Sequence, residues 1–116
     1  MRSVEFYRSK SGNCPVEEFL DSLNSKQARK VVWVLKLVEE LDRVPSQYLK
    51  KLTGSEEIWE VLIDSGSNTF RILGFFAKGS LVILTNGFGK KSMKTPLTEI
   101  NLAQKLRKDW LERNKL

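Results

Sequence analysis

Three apolar runs at residues 58–64, 69–77 and 81–85, separated only by Ser65-Gly66-Ser67-Asn68 and Lys78-Gly79-Ser80, constrain the fold of this chain more than any other feature. Connections of three or four turn-forming residues return a strand directly beside itself. The three runs therefore predict an antiparallel meander. The middle run, Phe70-Arg71-Ile72-Leu73-Gly74-Phe75-Phe76, is apolar on both alternating faces and belongs at the centre of the sheet. Arg71 is the one residue that this pattern does not expect.

The flanking sequence supplies one more strand and three helices. Val4-Glu5-Phe6-Tyr7 alternates as a short first strand, which Ser11-Gly12-Asn13 ends. Pro15 suits the first turn of a helix through Val16, Phe19, Leu20 and Leu23, with Glu17 and Glu18 complementing its macrodipole. Ser25 reads as the N-cap of a longer helix over about 26–42, where Ala28, Val31, Val32, Leu35, Val38 and Leu41 repeat at helical spacing. Val44-Pro45-Ser46 breaks it, and 49–54 reads as a turn or short irregular piece. Thr95 and Pro96 open a last helix with Ile100, Ala103, Leu106 and Trp110 on one face. The order β-α-α-β-β-β-α predicts one α+β domain over residues 1–116, a small twisted antiparallel sheet with helices packed on it.

Charge is distributed unevenly along the 116 residues. Residues 1–64 hold ten Lys/Arg against eleven Asp/Glu, whereas 65–116 hold ten against three, so the net charge of +6 comes from the second half. A basic face of this kind points to a polyanionic partner. Cys14 is the only cysteine, which excludes an intrachain disulfide and a cysteine-rich metal site, and there is no histidine to serve as zinc ligand or general base. No cofactor is expected. The first residues lack an apolar signal core and the longest apolar run, 72–77, is too short to span a bilayer, which predicts a cytoplasmic protein with no membrane partner.

The densest cationic stretch is Asn86-Gly87-Phe88-Gly89-Lys90-Lys91-Ser92-Met93-Lys94-Thr95-Pro96, with three lysines in five positions. Its glycines suit a backbone leaving a strand, and Pro96 presets φ for a helix start. A sheet edge, a cationic loop and a helix N-terminus then meet where phosphates can be held. With an early Phe-Tyr strand, Lys50-Lys51-Leu52-Thr53-Gly54, Trp59-Glu60 and Phe70-Arg71, this stretch resembles the RelE/ParE toxin superfamily, in particular its HigB-like branch. The resemblance implies a type II toxin, usually a ribosome-dependent endoribonuclease that cuts mRNA, held by a cognate antitoxin. That antitoxin is typically a small helix-turn-helix protein, and operator DNA is bound only through the pair. ParE-like relatives are non-enzymatic and poison DNA gyrase, and a catalytically inactive binding module is a further alternative. Two positions depart from the family pattern: Leu62 stands where many relatives have arginine, and Asn86 where a histidine often precedes Gly-Phe.

Metal-free RNA cleavage by 2′-OH attack needs a base, stabilisation of the phosphorane and help for the leaving 5′-oxygen. Crowding among cations favours the neutral form of a lysine, so Lys90, Lys91 and Lys94 are the candidate bases. Arg71 is the candidate for phosphate stabilisation, since arginine grips two oxygens at once; the competing reading pairs it with Glu60 across neighbouring strands. Glu60 itself can act as a base only if it faces the cleft. Lys50, Lys51 and Arg107 are candidate contacts to the nucleic-acid backbone. Phe88 either stacks on a base or closes the core beneath the loop. Trp33 and Trp110 are expected in the core, with an antitoxin-covered surface as the alternative.

Overall fold

The computed structural model describes residues 1–55, 57–91 and 94–115. Their order is β1 (Ser3–Phe6), α1 (Pro15–Asp21), α2 (Ser25–Glu40), β2 (Leu49–Lys51), β3 (Trp59–Ser65), β4 (Asn68–Lys78), β5 (Leu81–Gly89) and α3 (Leu97–Arg113). The strands form one sheet in the order β1-β5-β4-β3-β2, with β4 at its centre as the doubly apolar run predicts. Alternation along the strands divides the core in two. Val61, Ile63, Phe70, Ile72, Val82 and Leu84 pack against Val16 of α1 and Val31, Val34, Leu35 and Val38 of α2. On the opposite face, Leu73 and Phe88 pack with Ala103 of α3, and Phe75 and Ile83 pack with its Leu106 and Trp110. The fold is α+β, with the sheet between a two-helix layer and α3.

The sheet is mixed where an antiparallel one was expected. β1 runs parallel to β5, because α1 and α2 carry the chain across one face before the meander begins. Residues 49–51, expected as a turn or irregular piece, form the edge strand β2. A three-residue edge is too short to carry a periodic signal, and its pairing with β3 decides it: Leu49 opposite Val61, Lys50 opposite Glu60, Lys51 opposite Trp59. The cap of α2 is Asn24, one residue before the expected Ser25. Its Oδ1 accepts from Gln27 N at 2.8 Å while Gln27 Oε1 accepts from Asn24 N at 3.1 Å, so two orphan donors of the helix start are satisfied reciprocally. Trp33 is not a core residue; it is 46% exposed, with Lys30 Nζ 4.6 Å from its ring and Tyr48 beside it.

The end of α3 is fastened to the sheet by a polar latch. The buried Tyr7 hydroxyl donates to Asp109 Oδ2, and Arg113 donates to the same carboxylate (Nε at 3.0 Å) and to the Arg8 carbonyl at 2.7 Å. The hydrogen bond from Tyr7 holds the Asp109 carboxyl below its usual range, and burial pushes the Tyr7 phenol up. A depressed carboxylate contributes stability above its unfolded pKa and loses it as acid titrates the folded form. A raised phenol contributes below its unfolded pKa and loses it as pH rises through the folded value. Thermal unfolding across pH should therefore show stability falling both below about pH 4 and above about pH 10. Asp109→Asn should flatten the acid limb and Tyr7→Phe the alkaline limb; limbs unchanged in both variants would rule out the latch.

Candidate nucleic-acid interface

A β-bulge aims the conspicuous stretch at the α3 face. Leu73 pairs with Asn86 and the next residue, Gly74, with Leu84, so Thr85 is extra on β5. Its buried hydroxyl donates to the Leu73 carbonyl at 3.1 Å. The extra residue reverses the alternation, so that Val82 and Leu84 face α1 and α2 while Asn86 and Phe88 face α3. β5 accordingly runs on to Gly89, past the expected end near Thr85. The chain leaves the strand at Gly89 and not at Gly87, and neither glycine has positive φ. Gly87 is needed for close approach instead, since a Cβ there would lie 2.5 Å from Cδ2 of Phe19. Asn86, 2% exposed, donates from Nδ2 to Glu99 Oε1 at 3.0 Å and so ties β5 to the first turn of α3. Asn86 is thereby part of the scaffold.

Beneath the start of α3 lies a buried ion pair. Glu60 is fully buried on β3, and its Oε1 stands 3.4 Å from Nε of Arg71, which is 9% exposed on β4. Arg71 also donates from Nη1 to the Phe70 carbonyl at 2.8 Å, with Asp64 Oδ1 4.0 Å away. The Thr95 hydroxyl donates to Glu60 Oε2. Two residues distant in sequence are thus connected through one carboxylate to the segment just before α3. Sequence reasoning raised the Glu60–Arg71 pairing but gave Thr95 only a place at the helix start. Nothing in the spacing of Glu60 and Thr95 signals their contact, because the bulge and the return of α3 create it.

Thr95 also lines a cleft of about 520 Å³, together with Lys50, Lys51, Leu52, Thr53, Lys94 and Ile100. β2 supplies one wall; Lys50 lies in register with Glu60, so β2 being a strand places this lysine at the cleft. The other wall is the segment leading into α3. The structure therefore brings Lys50 and Lys94 to one cleft; Lys51 also borders it, but it stands opposite Trp59, so its side chain alternates to the other face of the sheet, with Nζ 3.6 Å from Glu57 Oε1. Arg71, Lys90, Lys91, Phe88 and Arg107 are not among the lining residues. Arg71 faces Glu60. Lys90 follows the end of β5, its amide donating to the Thr69 carbonyl at 2.8 Å, and Lys91 is exposed beyond it. Ser92 and Met93 lie outside the described residues. Phe88 is 9% exposed and packs with Ile58, Leu73 and Ala103, so its ring closes the core and is not presented to a base. Arg107 lies two turns further along α3 than Ile100.

Lys50 and Lys94 make this cleft cationic, and its Thr95 is tied to the buried Glu60–Arg71 pair. The family described as Phage derived protein Gp49-like (DUF891) matches residues 18–108, a span that includes every residue of this cleft. The chain belongs to the Gp49-like family. Gp49-like proteins are a RelE/HigB-like toxin family, so membership is consistent with a toxin of a toxin–antitoxin system, which usually pairs with an antitoxin. No curated protein matches the chain. Among the described residues, no helix of this Gp49-like chain is long and apolar enough to cross a membrane.

Proposed function

We propose that this protein is the toxin of a type II pair and cleaves mRNA on the ribosome, with the scissile phosphate in the cleft between β2 and the start of α3. The observation that carries this reading is the convergence of Lys50 and Lys94 on one cleft whose Thr95 is held by the buried Glu60–Arg71 pair. In the reaction, the 2′-oxygen forms a bond to phosphorus as its proton passes to a lysine amine. Lys94 is the candidate best placed for that step. Lys50 stabilises the added phosphorane charge as the bond to the 5′-oxygen breaks. The 5′-oxygen takes its proton from a second lysine, leaving a 2′,3′-cyclic phosphate and a 5′-hydroxyl. Arg71 is a positioning residue in this scheme: it holds Glu60, and Glu60 holds Thr95 beside Lys94. A helix-turn-helix antitoxin would cover the site, and operator DNA would be bound only by the pair.

Placing a single 2′-deoxynucleotide at a mapped cleavage position in a translated message should abolish cutting there and leave neighbouring positions unaffected. Cutting at the deoxy position would contradict the mechanism. A second reading, a non-enzymatic inhibitor of gyrase or a binding module, is favoured by one observation: Arg71 already spends its charge on Glu60 and a backbone carbonyl. On that reading DNA synthesis, not protein synthesis, fails first after induction.

A further inference from the structure

The cleft does not end at Ile100. A second depression, of about 860 Å³, lies between Gly54 and the α3 residues Gln104, Arg107, Lys108, Leu111 and Glu112, with Lys115 just past the helix end. The two linings adjoin on both sides. Gly54 follows Thr53 directly, and Gln104 stands one helical turn beyond Ile100. Positions 100, 104, 107, 108 and 111 recur at helical spacing, so they form one stripe along α3. From Ile100 to Leu111 that stripe spans roughly 16 Å at the helical rise, with Lys115 beyond the helix end.

Its chemistry continues that of the cleft. Arg107, Lys108 and Lys115 face a single acid, Glu112, with Leu52, Ile100 and Leu111 providing apolar surface between the cationic positions. Arg107 is fixed in place: its guanidinium carbon is 5.8 Å from the Phe75 ring centroid, and its Nε is buried with no hydrogen-bond partner among the described residues. A guanidinium anchored at its stem and opening into a concave, cationic depression is arranged to meet an anion.

We infer that this second depression is a phosphate subsite for the same single-stranded nucleic acid, which leaves the cleft and runs along α3 for several nucleotides. The inference rests on the proposed reading of the cleft. A path of this length matches the lower end of single-strand site sizes, about 4 nucleotides, and its alternation of cations with apolar surface suits a strand's phosphates and bases. The enzyme would accordingly require RNA extending well beyond the scissile phosphate on one side.

The test is binding of 2′-O-methyl oligonucleotides, which cannot be cleaved, to the full chain by fluorescence anisotropy. Extending a trinucleotide to a hexanucleotide should tighten binding at least tenfold. In Lys108→Gln/Lys115→Gln, two exposed positions whose replacement leaves the core intact, the gain from extension should shrink to within twofold. The salt dependence for the hexanucleotide should then be shallower by about 1.4 in log–log slope, as for two lost single-strand phosphate contacts. An equal gain in the variant, or no gain in the wild type, would overturn the subsite and leave the cleft reading standing. Failure of the wild type to bind either length would remove both. Tighter binding of a decaglutamate peptide than of the hexanucleotide at the same salt would assign the groove to an acidic protein partner instead.

Discussion

Arg71→Ala should lower the stability of the fold by about 3–5 kcal/mol, because it leaves a buried carboxylate without its counter-charge. Glu60 is fully buried and, among the described residues, would retain only the Thr95 hydroxyl. Glu60→Ala should cost less, about 1.5–3 kcal/mol, the range for a hydrogen-bonded charge. The asymmetry arises because Arg71 keeps the Phe70 carbonyl and Asp64, which stands 4.0 Å away on an exposed carboxylate. Replacing both by apolar residues, Glu60→Met with Arg71→Met, should recover much of the loss, since a buried pair often does little better than well-packed apolar groups. Urea unfolding of the four proteins gives the cycle. A cost below about 1 kcal/mol for Arg71→Ala would mean that water reaches the pair and that its burial has no energetic consequence. It follows that inactivity of Arg71→Ala reports on folding before it reports on chemistry.

The cleft lysines are the direct probe of chemistry. Lys50→Ala/Lys94→Ala should reduce cleavage of a translated message by about 10²–10⁴, the range for removal of a general acid or base. Lys50 and Lys94 are both exposed, and the unfolding midpoint should change little. Lys90→Ala/Lys91→Ala should cost far less, because those side chains follow the end of β5 and do not line the cleft. Single-turnover rates at saturating ribosomes separate the two double variants. A larger loss from Lys90 and Lys91 would move the reacting phosphate to the end of β5 and away from the cleft.

The meander and the three helices were legible in the residues, because hairpin-length separators and helical periodicity are local signals. Central placement of β4 followed from its apolar faces, and Pro15 at the start of α1 followed from its missing donor. What could not be read is long-range or a matter of one residue. The parallel seating of β1 beside β5 depends on how two helices cross the sheet. The bulge at Thr85 has no mark in a run where every residue from Leu81 to Leu84 is apolar, yet it decides which face Asn86 and Phe88 occupy. The site shows the same division. Charge and sequence position mark Lys50 and Lys94, and the edge pairing of β2 brings Lys50 to the cleft that Lys94 lines. Charge marks Arg71 and its place in the cationic stretch marks Phe88, and the sheet buries both. Thr95 was legible only as part of a helix start, since its partner lies 35 residues away.

The most direct test of the cleft as an mRNA-cleaving site is induction of the wild type beside Lys50→Ala/Lys94→Ala, with growth followed and the 5′ ends of cellular messages mapped. The account predicts arrest and new 5′-hydroxyl ends within translated messages for the wild type, and neither for the folded double variant. Arrest without new ends, or ends at the same positions and abundance in the double variant, would contradict it.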